Sequence, residues 1–239
     1  MNQYTKYNIF AMSITIPDLK KIFHLLQRML AKRGLHLVKS LIYLNRAKRI
    51  DLNRLDYNRL ACLEMCSHEI YTNNVQGNVA ELGVFRGDFA KDINTVFPDR
   101  KLYLFDTFEG FDNRDVGTEV GKGFSTGDQD FSGTSVALVL GKMPHPNNCI
   151  VCKGYFPATT KDIEDKFAFV SIDTDLYEPI LAGLQYFYPR LNAGGYIFIH
   201  DYNNEGYKGA RQAVLEYCKQ HQLAFVPIPD LGGSVVIGK

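Results

Sequence analysis

The sequence predicts an α/β protein: an open, mostly parallel sheet of seven strands with an antiparallel carboxyl-terminal pair and a helical amino-terminal region. Three observations carry this. From Gly77 onward, apolar runs alternate with helical patterns, the order that builds a parallel sheet with helices on both faces. Runs such as FAFVSI (167–172) and YIFIH (196–200) are apolar without alternation, as strands buried on both faces are. The last two strand-like runs are joined only by Asp230-Leu231-Gly232-Gly233, which is too short for a crossover and forces antiparallel pairing.

Taken in order, residues 1–75 read as a helical extension or cap and residues 76–239 as the sheet domain. In IPDLKKIFHLLQRMLAKRG (16–34), Leu19, Ile22, Phe23, Leu26, Met29 and Leu30 recur at helical spacing. Lys20, Lys21, Arg28, Lys32 and Arg33 lie off that stripe. Such a helix packs on its own domain, on a second copy in a homodimer, or peripherally on a membrane surface. A second helix is expected over about 53–71, ending at the Asn73-Asn74 breaker. Strands are expected at 78–84, 101–107, 149–156, 167–173, 195–201, 223–229 and 234–238. Helices are expected at about 88–97, 133–142, 159–165, 177–190 and 206–220. The stretch 112–133, rich in Gly, Asp, Ser and Thr, is too long for an ordinary connector and reads as an active-site loop or lid.

Composition narrows the function. The 239 residues carry a formal net charge of +1, so no global field draws the chain to nucleic acid or an acidic membrane. No apolar run reaches the ~18 residues of a transmembrane helix. The apolar stretch 8–16 runs into Pro17-Asp18 without a small-residue cleavage site, so no signal peptide is expected. The 5 cysteines, an odd number without a dense framework, read as reduced thiols of a cytoplasmic protein. Cys149-x-x-Cys152 lies in a strand-like run with no second paired motif and reads as buried thiols.

The chemistry begins at the first turn of the sheet, GNVAELGVFRGDFA (77–90). Glu81-x-Gly83-x-x-x-Gly87 stands between strand and helix, where glycines let the backbone approach a ligand closely. Glu81 occupies the place of the first glycine of a dinucleotide fingerprint, and no Gly-Lys-Ser/Thr follows, so neither a dinucleotide nor a phosphate loop fits. The second strand, KLYLFDTFEGF (101–111), delivers Asp106 about 20 residues on, placed to hydrogen-bond ribose hydroxyls.

The stretches VAELGVFRG, LFDTFEGF, VSIDTDLYEP, YFYPRLNAGGYIFIHDY and GARQAV together resemble the macrocin-type sugar O-methyltransferases, over about residues 55–239. The resemblance implies a Rossmann-like class I methyltransferase fold and S-adenosylmethionine as methyl donor. It implies that Glu81, Gly83, Gly87 and Asp106 bind that donor. The acceptor it implies is a glycan or small molecule with sugar hydroxyls.

Asp173 ends the fourth strand and His200-Asp201 the fifth, so all three converge beside the glycine turn. A sugar hydroxyl does not ionise unaided at neutral pH. A divalent cation lowers its pKa and a carboxylate takes the proton. In the resembled family the metal ligands fall on Asp173, His200 and Asp201, with histidine replacing the first aspartate of a pair. Mg²⁺ prefers oxygen, so His200 reads as a metal ligand for Mg²⁺ or a softer cation, or as the general base. Asp173 reads as ligand and base, Asp175 as a helix cap, and Asp130 and Ser135 as adenosine-side contacts. Three other readings stay open: an Asp-x-Asp glycosyltransferase, a nicotinamide-dependent oxidoreductase, and a binding subunit that has lost its chemistry.

Overall fold

The strands are β1 (Asn78–Leu82), β2 (Leu102–Asp106), β3 (Cys149–Lys153), β4 (Phe167–Ile172), β5 (Leu191–Ile199), β6 (Val226–Pro227) and β7 (Val235–Gly238). The helices are α1 (Ile16–Ala31), α2 (Tyr57–Thr72), α3 (Asp88–Val96), α4 (Asn113–Gly121), α5 (Val136–Leu140), α6 (Tyr177–Arg190) and α7 (Lys208–His221). The structure, a computed structural model, describes residues 16–35, 49–52, 54 and 56–239. The apolar stretch before Ile16, and Asn53 where the second helix was expected to begin, lie outside the described residues. The chain divides into two units, Met1–Ala47 and Lys48–Lys239, so α2 falls with the sheet rather than with the amino-terminal region expected to reach residue 75.

All seven strands form one sheet in the order β3-β2-β1-β4-β5-β7-β6. The first five are parallel neighbours, and β7 runs antiparallel to both β5 and β6. This is the predicted class, with its antiparallel carboxyl-terminal pair. Every side chain of β4 is buried, as its continuous apolar sequence demands. Phe105, Phe167 and Phe187 pack there at ring separations of 5.1–5.7 Å. Burial of each such ring contributes roughly 1.5–3 kcal/mol.

Topology places the site. The chain steps outward from β1 through β2 to β3, then returns to β4 on the other side of β1. A crevice therefore opens between β1 and β4, at their carboxyl ends. Leu82 lies opposite both Phe105 and Ile172, and Ile172 lies opposite Ile199. The residues that follow these partners (Gly83, Asp106, Asp173 and His200) leave the sheet side by side.

Several boundaries differ from expectation, for physical reasons. The helix expected at 159–165 is a single 3-10 turn, Ala158–Thr160. The run 223–229 contributes only Val226–Pro227 to the edge, where Pro227 and Pro229 remove ladder donors. β5 starts four residues early, at Leu191. The stretch 112–133 contains a nine-residue helix, α4, that its sequence concealed. Cys149 and Cys152 lie partly buried on edge strand β3, and burial raises both thiols to about 11. They stay protonated at neutral pH.

Candidate active site

The 81–87 turn forms the floor of a cavity of about 440 Å³ at the β1/β4 switch. Gly83 has φ +85°, and a Cβ there would overlap the carbonyl oxygen of Asp173, so only glycine lets β1 and β4 end this close together. Asp106 fastens the turn. Its Oδ2 accepts the backbone N–H groups of Val84 and Phe85 at 2.7 and 2.9 Å, and its Oδ1 accepts that of Phe108 at 2.6 Å. Any ribose hydroxyl bound here would share these oxygens, which have lone pairs to spare.

Of the residues expected from sequence, Glu81, Gly83, Asp106, Asp173, His200 and Asp201 line this one cavity. Gly87 stands behind it, heading α3 at φ +75°. Asp130 and Ser135 do not line it. Asp130 is exposed and accepts the N–H of Ser132. Ser135 caps α5 through the N–H of Leu138. Their neighbours Gln129 and Phe131 reach the cavity instead.

Asp173 is held by two nitrogen donors. Arg59 lies 2.9 Å from its Oδ2 and His200 Nδ1 lies 3.2 Å from its Oδ1. His200 Nδ1 is also 2.6 Å from Asp201 Oδ2, and Asn204 donates to Asp201 Oδ1 at 2.7 Å. Burial works against ionising Asp173, but Arg59 and His200 outweigh it and hold the carboxyl well below the usual carboxylate range. Burial likewise opposes charge on His200, and the facing carboxylates overcome it, raising the imidazole from 6.5 to about 10. A protonated imidazole is no base at neutral pH.

Arg59 is the functional residue that sequence reading missed. It sits near the start of α2, only 8% exposed, with its guanidinium over the Phe89 ring at 3.8 Å and a bond to Ser171 Oγ. The signal was legible in principle, because Arg59 falls on the buried stripe of α2 with Leu60, Leu63, Ser67 and Ile70. A charge on a buried stripe needs a partner.

Asp175 was expected to cap the following helix. The residue preceding α6 is Leu176, without a side-chain cap, and the first N–H of the helix, from Tyr177, goes to Glu119 Oε2 of α4 at 2.9 Å. Asp175 instead takes a left-handed backbone, φ +60°, and lines the cavity. Burial, then Asp201 and Asp173, raise its carboxyl well above the usual range. Glu81 is raised as well, by burial that Arg59 only partly offsets.

Among the described residues, Glu81 Oε2, Thr174 Oγ1 and Tyr207 Oη find no hydrogen-bond partner and are buried around the same cavity. Buried polar atoms left open in this way mark a place for a polar ligand. With the glycine cradle, they fit an amino-acid and ribose-bearing donor. The expected metal ligands Asp173, His200 and Asp201 do bring ligand atoms within 4.8 Å of one another. Yet His200 Nδ1 stands between the two carboxylates, 3.2 Å from Asp173 Oδ1 and 2.6 Å from Asp201 Oδ2, and Arg59 is already paired with Asp173, so the set as it stands does not suit an oxygen-seeking ion.

A family model described as macrocin O-methyltransferase (TylF) matches residues 49–231. Mycinamicin III 3''-O-methyltransferase of Micromonospora griseorubida is 28% identical over 181 residues, covering 70% of each chain. Demethyldecarbamoylnovobiocin O-methyltransferase of Streptomyces niveus is 27% identical over 166 residues, covering 60% of each. The solved structure of the O-methyltransferase NovP shares the fold, with a TM-score of 0.64 and 24% identity over 77% of this chain and 80% of that one.

Proposed function

This chain belongs to the macrocin O-methyltransferase family, and on that premise we propose that it methylates a sugar hydroxyl of a glycan, nucleotide sugar or glycosylated natural product. Membership makes it an O-methyltransferase and displaces the glycosyltransferase, oxidoreductase and non-catalytic readings. The observation that carries the rest is the 81–87 turn at the β1/β4 switch, pinned by Asp106 and opening onto the acid cluster.

In this reading Gly83 admits the donor's backbone-hugging portion, and Glu81 and Asp106 face its polar groups. S-adenosylmethionine, when bound, supplies an electrophilic methyl group. The residues of the chain supply alignment and a proton acceptor. Alignment of donor and acceptor offsets roughly 7–11 kcal/mol of barrier.

The partners of the carboxylates assign the proton. Asp173 is paired with Arg59 and His200, which hold it well below the usual carboxylate range and make it a weak base. Burial, then Asp201 and Asp173, raise Asp175 well above the usual range against a smaller opposing effect of His200, which makes it more basic than Asp173. Asp175 therefore takes the hydroxyl proton. His200, expected from sequence as ligand or base, positions Asp173 and Asp201 instead.

The enzyme is assigned to the cytoplasm, where its 5 free cysteines stay reduced. Among the described residues no helix is long and apolar enough to cross a membrane. The test is transfer of isotope-labelled methyl from S-adenosylmethionine to a panel of free sugars, glycosides and nucleotide sugars. Label in a sugar ether supports the reading, and label in none of them, with donor bound, overturns the sugar assignment.

A further inference from the structure

We propose that Arg59 is the permanent cation of this site and that the enzyme works without a divalent metal. The inference rests on the methyltransferase reading above and concerns the same cluster. A hydroxyl-methylating site that recruits a divalent ion needs carboxylate oxygens converging on one open point with no cation already fixed there.

Here His200 Nδ1 occupies that point, 3.2 Å from Asp173 Oδ1 and 2.6 Å from Asp201 Oδ2. Asp173 spends Oδ2 on Arg59 at 2.9 Å and Oδ1 on His200 at 3.2 Å. Asp201 spends Oδ2 on His200 at 2.6 Å and Oδ1 on Asn204 at 2.7 Å. His200 Nδ1 lies between two carboxylate oxygens, and at 2.6 Å from one of them it must carry a proton, since two lone pairs would repel. Nδ1 itself is therefore not a ligand in this arrangement. The ring is also boxed in: it fills the space where a side chain on Gly232 would sit, against the 230–233 turn.

Arg59 supplies the charge. Its guanidinium does not lose its proton in proteins. It is buried, stacked on Phe89 and bonded to Ser171 as well as Asp173, so it is built into the wall and not a mobile surface arm. A dication beside it would meet a fixed like charge. Histidine at 200, where the resembled family has an aspartate, and the burial of Arg59 against Asp173 have one electrostatic result: the cation comes from side chains.

The test is a Mn²⁺ titration of the purified full chain, followed by the loss of the free Mn²⁺ electron-spin-resonance signal. The wild type is expected to leave the signal unchanged, and turnover to stay within about twofold when EDTA is added. The double variant Arg59→Met, His200→Asp, which removes the cations and restores a carboxylate pair, is expected to take up about one Mn²⁺ per chain. Stoichiometric Mn²⁺ uptake by the wild type that disappears in Asp201→Asn overturns the proposal, as does loss of turnover with EDTA restored by Mg²⁺. S-adenosylhomocysteine binding, measured on the same samples, separates the two readings. Its absence counts against the methyltransferase assignment, while the Mn²⁺ result stands by itself.

Discussion

At the end of β4 three carboxylates lie close enough to compete for protons, and their partners sort them. Asp173 has two cations, Asp201 has one and an amide, and Asp175 is buried beside Asp201 and Asp173 with His200 only partly offsetting them. Asp175→Asn should therefore lower kcat by about 10²–10⁴ while leaving S-adenosylhomocysteine affinity unchanged. The wild-type pH–rate profile should rise along an acid limb lying above the ordinary carboxylate range, because Asp175 must lose its proton before it can accept another. Measured kcat against pH checks both. An Asp175→Asn enzyme of near-native rate would return the proton to another group. Gly83→Ala tests the floor of the site. At φ +85° the added methyl meets the Asp173 carbonyl, which should cost about 1–3 kcal/mol of stability and most of the donor affinity.

Among the elements, α4 explains why the 112–133 stretch is ordered at all. Its sequence, NRDVGTEVG, carries two glycines and only two apolar residues, so periodicity gave no warning of a helix. A buried carboxylate holds it. Glu119 is fully buried, accepts the Tyr177 N–H that begins α6, and fills the space beside Gly209 in α7. Contacts between residues 58 positions apart in the chain leave no local trace in a sequence. Glu119→Ala should destabilise the protein by about 1–3 kcal/mol, read as a lower urea midpoint, since it strips one helix of its cap. A midpoint equal to wild type would show that α4 is held by something else. Helix α2 is the opposite case. Its span was legible, but the 114 positions separating Arg59 from Asp173 hid the reason for its arginine.

Across the whole molecule, strands read well and edges read badly. Runs buried on both faces, such as β4, announce themselves by composition alone. The two-residue β6 is fixed only by pairing with β7, which propensity does not record. The site was legible wherever a residue ends a core strand, as Asp106, Asp173 and His200 do. It was illegible where a loop contributes, as with Asp175, or where capping takes a residue away, as with Ser135. The charge network also sets a global property. His200 ionises at about 10 in the fold against 6.5 unperturbed, so its stabilising charge is fully present below pH 6.5 and is lost as pH rises through about 10. Tm should fall across that window, and His200→Gln should flatten the fall. A Tm that rises over the same interval would contradict the ion-pair assignment.

The most direct test of the account is calorimetric titration of the purified chain with S-adenosylhomocysteine. The account predicts one site per chain with affinity on the order of micromolar, indifferent to Mg²⁺ and lost in Gly83→Ala. Folded wild-type protein that takes up no S-adenosylhomocysteine, with or without Mg²⁺, would contradict the assignment of the β1/β4 cavity to a methyl donor.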